Sequence, residues 1–130
     1  MTAQADAEAI RRGYEAFGKG DIPAVAALLA DDVEWHIPGR SDLAGDYRGR
    51  DAVIGFFTQI AQRSEGSFRL EVHDLLASDD HVVAIVTELG HRGDRVLNAR
   101  GTHVWHVRDG KATEFWGISA DVYAQDEFWA

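Results

Sequence analysis

The hydrophobic period of this chain changes partway along it, from helical spacing to strict alternation, and that change limits the folds open to it. From Phe68 onward, alternating apolar and polar runs are separated by the turn signals Asp79-Asp80, Arg92-Gly93-Asp94 and Asp109-Gly110. Asp-Gly is a strong two-residue hairpin signal because both residues tolerate positive φ. The spacing predicts strands near residues 68–77, 81–90, 96–108 and 111–119, paired as antiparallel neighbours. Helices first and strands after, without βαβ alternation, imply an α+β architecture with helices on one face of a curved sheet.

Before that point, Ile10, Tyr14 and Phe17 fall at i, i+4 and i+7, one apolar stripe of a helix over residues 3–17. Gly18-Lys19-Gly20 ends it. Asp21 then caps a short second helix, with Pro23 in its first turn and Val25, Leu28 and Leu29 facing inward. Val33, Trp35 and Ile37 alternate with Glu34 and His36, the pattern of a half-buried strand. A loop rich in glycine and charge follows over residues 38–50. Asp51 is expected to cap a third helix reaching Arg63, with Val53, Ile54, Phe56, Phe57 and Ile60 on its apolar side. The tail from Asp121 carries Phe128 and Trp129 and is expected to dock.

Composition works by exclusion. A length of 130 residues fits a single domain, residues 1–130. Lys and Arg number 13 against 22 Asp and Glu, a net charge of −9, which disfavours a nucleic-acid partner. No apolar run approaches the roughly 20 residues of a membrane span, and the polar, acidic start resembles neither a signal nor a transit peptide, so a cytoplasmic protein is expected. Without cysteine there are no disulfides and no thiolate nucleophiles or metal ligands. His103 and His106, three apart on a strand, point to opposite faces, and His-Glu-x-x-His is absent. No metal and no cofactor are therefore expected.

The elements also carry particular words in a particular order. Tyr14-Glu15-Ala16-Phe17 precedes Gly20-Asp21 and Leu28-Leu29-Ala30-Asp31-Asp32-Val33-Glu34-Trp35. His36-Ile37-Pro38-Gly39, Ala44-Gly45, Tyr47-Arg48-Gly49 and Asp109-Gly110-Lys111 then lead to Glu114-Phe115-Trp116. Together they span nearly the whole chain and resemble the SnoaL-like and ketosteroid-isomerase-like proteins of the nuclear transport factor two-like superfamily. The resemblance implies a cystatin-like α+β roll, in which a cone-shaped antiparallel sheet wraps around N-terminal helices over an apolar pocket. It also implies a homodimer through the outer sheet face. It does not settle function, because the superfamily hosts isomerases, cyclases, hydrolases and non-enzymatic binding modules.

The acids of the known enzymes do not carry over by this resemblance. The general-base position is Ile37, and the oxyanion-hole tyrosine falls on Gly13, with Tyr14 matching the common structural tyrosine. The protonated oxyanion acid falls on Thr102 when aligned without a gap, and the acid of the cyclase-like members falls on Gly117. Steroid-isomerase chemistry in its known form is not expected, since tuned carboxyl groups are its mechanism.

Pairing across Asp109-Gly110 as a two-residue turn places His106 opposite Thr113, Val104 opposite Phe115, Thr102 opposite Gly117 and Arg100 opposite Ser119, on one face. The resemblance turns this face into the cone, with His103, Trp105, Trp116 and Ile118 outside against a second subunit. Hydrophobicity alone makes that second face, with His103, Trp105, Val107, Trp116 and Ile118, the core instead. The candidate catalytic residues are then Arg100, whose planar fork suits an anionic oxygen, His106 as a proton shuttle, and Asp74 as a buried acid. Tyr14, Trp35, Phe56, Phe57, Thr102, Val104 and Phe115 are the expected ligand-binding lining. The blander roles are a rim ion pair for Arg100, a surface position for His106, a solvated strand end for Asp74 and a helix cap for Asp121. The function expected is enclosure of a small apolar, oxygen-bearing molecule, with acid–base isomerase, cyclase or hydrolase chemistry. The alternative is a binding or dimerisation module that catalyses nothing.

Overall fold

A computed structural model describes residues 2–130 and sets four helices around a curved, unclosed six-stranded sheet. Helix α1 (Ala3–Gly18) starts at Thr2, whose hydroxyl accepts the Ala5 N–H, and α2 (Ile22–Leu28) starts at Asp21, whose carboxylate accepts the Ala24 N–H. Strands β1 (Leu29–Ile37) and β2 (Gly45–Arg48) precede α3 (Arg50–Arg63). Asp51 does not cap α3. Gly49 holds that position with a φ of 86°, and Asp51 lies in the first turn, where its charge favours the helix dipole. Four longer strands follow: β3 (Arg69–Ala77), β4 (His81–Arg92), β5 (Arg95–Arg108) and β6 (Lys111–Ser119). The tail docks as helix α4 (Val122–Trp129), capped by Asp121, with Phe128 and Trp129 buried.

The strand order is β2-β1-β6-β5-β4-β3. Two features depart from the sequence reading. Residues 45–48 form an edge strand antiparallel to β1 rather than a loop, and β1 runs parallel to β6, so the sheet is not wholly antiparallel. The parallel pair sets Trp35 beside Phe115, with ring centroids 4.0 Å apart and planes 11° from parallel. The core gathers between helices and sheet around Ile10, Val33, Val53, Val82 and Val86, all fully buried. Among the described residues no helix is long and apolar enough to cross a membrane.

The β5–β6 hairpin decides which side chains face inward. Its turn is the expected two-residue one, with Arg108 opposite Lys111 and positive φ at Asp109 and Gly110. The ladder then shifts: Val107 faces Ala112, but His106 faces Glu114. Thr113 is the extra residue of a β-bulge, and its hydroxyl donates to the His106 carbonyl at 3.2 Å. One extra residue exchanges the two faces of a strand. Trp105 therefore lies opposite Phe115, and His103 opposite Gly117.

Candidate functional site

The bulge moves the site by one residue along β5. Arg100, Thr102, Val104 and His106 stand on the outer face, so the expected cavity wall of those residues is not formed. Arg100 is exposed opposite Thr87, and His106 stacks on His81 with centroids 4.8 Å apart. Asp74 is also displaced: β3 bulges at His73, leaving the Asp74 carboxylate exposed and accepting the N–H of its neighbour Leu75. His103 and Trp105, placed by resemblance against a second subunit, are buried within this chain.

The sheet and helices enclose a cavity of about 110 Å³, on the scale of a single small ring. Tyr14, Trp35, Phe56, Phe57 and Phe115 line it, as do Ile37, Gly13 and Gly117, where the resemblance sets catalytic side chains in other members. Its aromatic wall is built on Trp35, which stacks on Phe115 and meets the edges of Trp105 and Phe57 at 5.3 and 5.4 Å. Among the described residues, no Lys or Arg lines this cavity.

Of its polar lining, Tyr14, Trp105 and Glu88 gather around His103, while Ser41, Ser119, Gln125 and Asp126 lie elsewhere on the wall. The Trp105 indole N–H, which can only donate, gives its hydrogen to the Tyr14 hydroxyl oxygen at 3.0 Å. The Tyr14 hydroxyl lies 2.6 Å from His103 Nδ1, and with its oxygen already accepting the indole N–H we assign its own hydrogen to Nδ1. Burial pushes the Tyr14 phenol well above its ordinary pKa, so it serves as a donor and not as a base. With Nδ1 accepting, the neutral His103 ring carries its proton on Nε2. That nitrogen lies 3.9 Å from Oε1 of Glu88, beyond hydrogen-bond reach. The Glu88 side chain is 18% exposed, and among the described residues no group donates a hydrogen bond to it.

Two glycines keep space open beside this pair. At Gly101 a Cβ would sit 2.8 Å from the Ile118 carbonyl oxygen and 3.6 Å from Glu88 Oε1, and at Gly117 it would press on Pro38 at 3.3 Å. At the mouth, Asp126 accepts the N–H groups of Arg40 and Ser41, tying the loop after β1 to α4.

Glu88 was not singled out from the sequence, and His103 was placed against a second subunit rather than in the cavity. His103 follows from the burial alternation of β5, in which His103, Trp105 and Val107 are buried while Thr102, Val104 and His106 are less so. Glu88 has a similar signal: Val82, Ala84 and Val86 form an inward series on β4, and Glu88 is its next member. On the opposite surface, His36 lies between Asp46 and Glu114 at 2.7 and 2.6 Å, and the Asp46 hydrogen bond raises its pKa.

Comparison with known proteins agrees with this architecture. An uncharacterised protein of Mycobacterium tuberculosis is 33% identical over the full length of both chains. Bal32a, from a soil-derived mobile gene cassette, is 35% identical and superposes with a TM-score of 0.96 over 98% of each chain. TerC, solved co-crystallised with polyporic acid, is 27% identical with a TM-score of 0.85, covering 95% of this chain and 97% of its own. The fold is the nuclear transport factor two-like, cystatin-like α+β fold. The SnoaL-like domain model matches residues 10–115, and the chain belongs to that family.

Proposed function

We propose that this SnoaL-like chain encloses a small, apolar, oxygen-bearing molecule and moves a proton on it with Glu88 and His103. The observation that carries the reading is the Glu88–His103–Tyr14 line set in a largely apolar, aromatic-rich cavity. A carboxylate beside an imidazole N–H suits removal of a proton from carbon next to a carbonyl. Glu88 takes the proton, the C–H electron pair moves onto the carbonyl oxygen, and His103 Nε2–H donates to that oxygen. Tyr14 holds His103 in the tautomer this requires. With no Lys or Arg among the described lining residues and with Glu88 and Asp126 present, the ligand is neutral rather than a carboxylate. The co-crystallisation of TerC with polyporic acid supports small-molecule binding in this fold.

The test is solvent deuterium exchange, followed by NMR, at the acidic carbon of neutral aryl ketones that bind the protein. Catalysed exchange that falls about 10²- to 10⁴-fold in Glu88→Gln supports the reading. Binding without exchange leaves the second reading, a non-catalytic module, which the non-acidic Gly13, Ile37 and Gly117 favour.

The same proposal includes a second copy of the chain on the outer sheet face. Ile85 and Ile118 are 43% and 52% exposed there, beside the partly exposed Val104 and Trp116. A contiguous apolar patch of that kind is seldom left in water. Sedimentation at micromolar concentration is expected to give a dimer that Ile118→Glu dissociates. A monomeric parent chain removes this part of the proposal.

A further inference from the structure

We propose that Glu34, His36 and Glu114 form a binding site for a divalent transition-metal ion on the outer face of the sheet, positioned by Asp46. The site is independent of the cavity and lies on the other side of β1 and β6. Glu34 and His36 are two apart on β1 and share its outward face, and Glu114 of β6 is the parallel partner of Glu34. One ligand atom from each lies within 4.8 Å of the other two. His36 Nε2 is 2.6 Å from Glu114 Oε2 and 4.0 Å from Glu34 Oε2. Ligands bonded to one such ion at about 2.1 Å stand roughly 3 to 3.5 Å apart. Seating an ion therefore opens the first gap slightly and closes the second by rotation of the Glu34 carboxylate.

Two of the three ligands, His36 and Glu34, are held from behind by side chains of β2. Asp46, opposite His36 on β2, takes Nδ1 at 2.7 Å, which turns Nε2 toward the two glutamates. A carboxylate behind a ligating imidazole is the usual arrangement that fixes ring and tautomer. Arg48, opposite Glu34, takes its Oε1 at 2.9 Å and leaves Oε2 to the site. Trp116 stacks on the His36 ring at 5.6 Å. Three carboxylates against one guanidinium carry two net negative charges, which a divalent cation balances. One nitrogen and two carboxylate oxygens suit zinc, cobalt or manganese rather than calcium or magnesium. Nε2 coordinates through its lone pair, so a proton on it is released to solvent as the ion binds.

The experiment is titration of chelator-treated protein with cobalt(II), read by its visible absorption, and with zinc, read by calorimetry. One ion per chain at micromolar affinity is expected. His36→Gln and Glu114→Gln should each abolish it, and Asp46→Asn should weaken it about 10- to 100-fold through the orientation of His36. Unchanged melting temperatures of the metal-free variants show that the fold is kept. The stacked His81 and His106 pair is the rival location, so His106→Gln should leave binding intact. Absence of binding at millimolar ion overturns the proposal, as does binding that survives His36→Gln or is lost in His106→Gln.

Discussion

His103 and His36 sit on opposite faces of one sheet, each near carboxylates, in contrasting surroundings. His103 faces an aromatic cavity, accepts from a buried phenol on Nδ1, and has Glu88 at 3.9 Å, too far to hydrogen-bond. His36 is a quarter exposed and held on both nitrogens, by Asp46 and Glu114. The difference lies in what is left over. His36 has both nitrogens engaged by anions, whereas His103 keeps an N–H and a neighbouring carboxylate free for a ligand. The same residue types serve ion pairing or a cation on one face and proton transfer on the other, because solvent and partners differ.

The largest expected effect separates the two faces by activity. Glu88→Gln should lower the proposed proton exchange about 10²- to 10⁴-fold, while His36→Gln leaves it unchanged. Equal losses in the two variants would break the contrast. Packing separates them next: Trp35→Ala, which removes the stack on Phe115, should cost about 3 to 5 kcal/mol in urea unfolding. Trp116→Ala, on the partly exposed outer face, should cost no more than about 1 kcal/mol in the monomer.

Tyr14 offers a sharper test of the inner network. The fold keeps its phenol protonated beyond the ordinary value of 10.0, so this contribution is complete below pH 10 and shrinks as pH rises past it. Above pH 10 the parent chain should lose about 1.4 kcal/mol of stability per pH unit from this group. Tyr14→Phe should lack that slope and, at neutral pH, cost about 1 to 3 kcal/mol for the unpaired His103 and Trp105 groups. Smallest of all is Arg48→Met on the outer face. Its exposed pair with Glu34 is expected to contribute about 0.2 to 1 kcal/mol by double-mutant cycle.

Much of this architecture was legible in the sequence. Ile10, Tyr14 and Phe17 mark α1, Asp21 caps α2, and Asp109-Gly110 makes the two-residue turn. What escaped depends on partners distant along the chain. Strand β2 is four residues, Gly45–Arg48, largely exposed and without alternation, and is a strand because β1 lies beside it. The bulge at Thr113 has no glycine to announce it, and its hydroxyl satisfies the carbonyl it crosses only once folded. That single residue moved the inward positions from Thr102 and Val104 to His103 and Trp105. The apolar weight of the second set argued for this against an ungapped alignment. Sheet register follows burial before it follows a count from the turn.

Nitrogen-15 NMR of the His103 ring tests the central claim most directly, because the proposed chemistry needs a proton on Nε2 and an acceptor at Nδ1. Long-range proton–nitrogen correlations on the neutral ring should show Nδ1 unprotonated and Nε2 protonated, with the Nε2 signal moving when an aryl ketone is added. The same tautomer should be lost in Tyr14→Phe. A proton on Nδ1 in the parent chain, or an Nε2 signal indifferent to a bound ketone, would contradict the account.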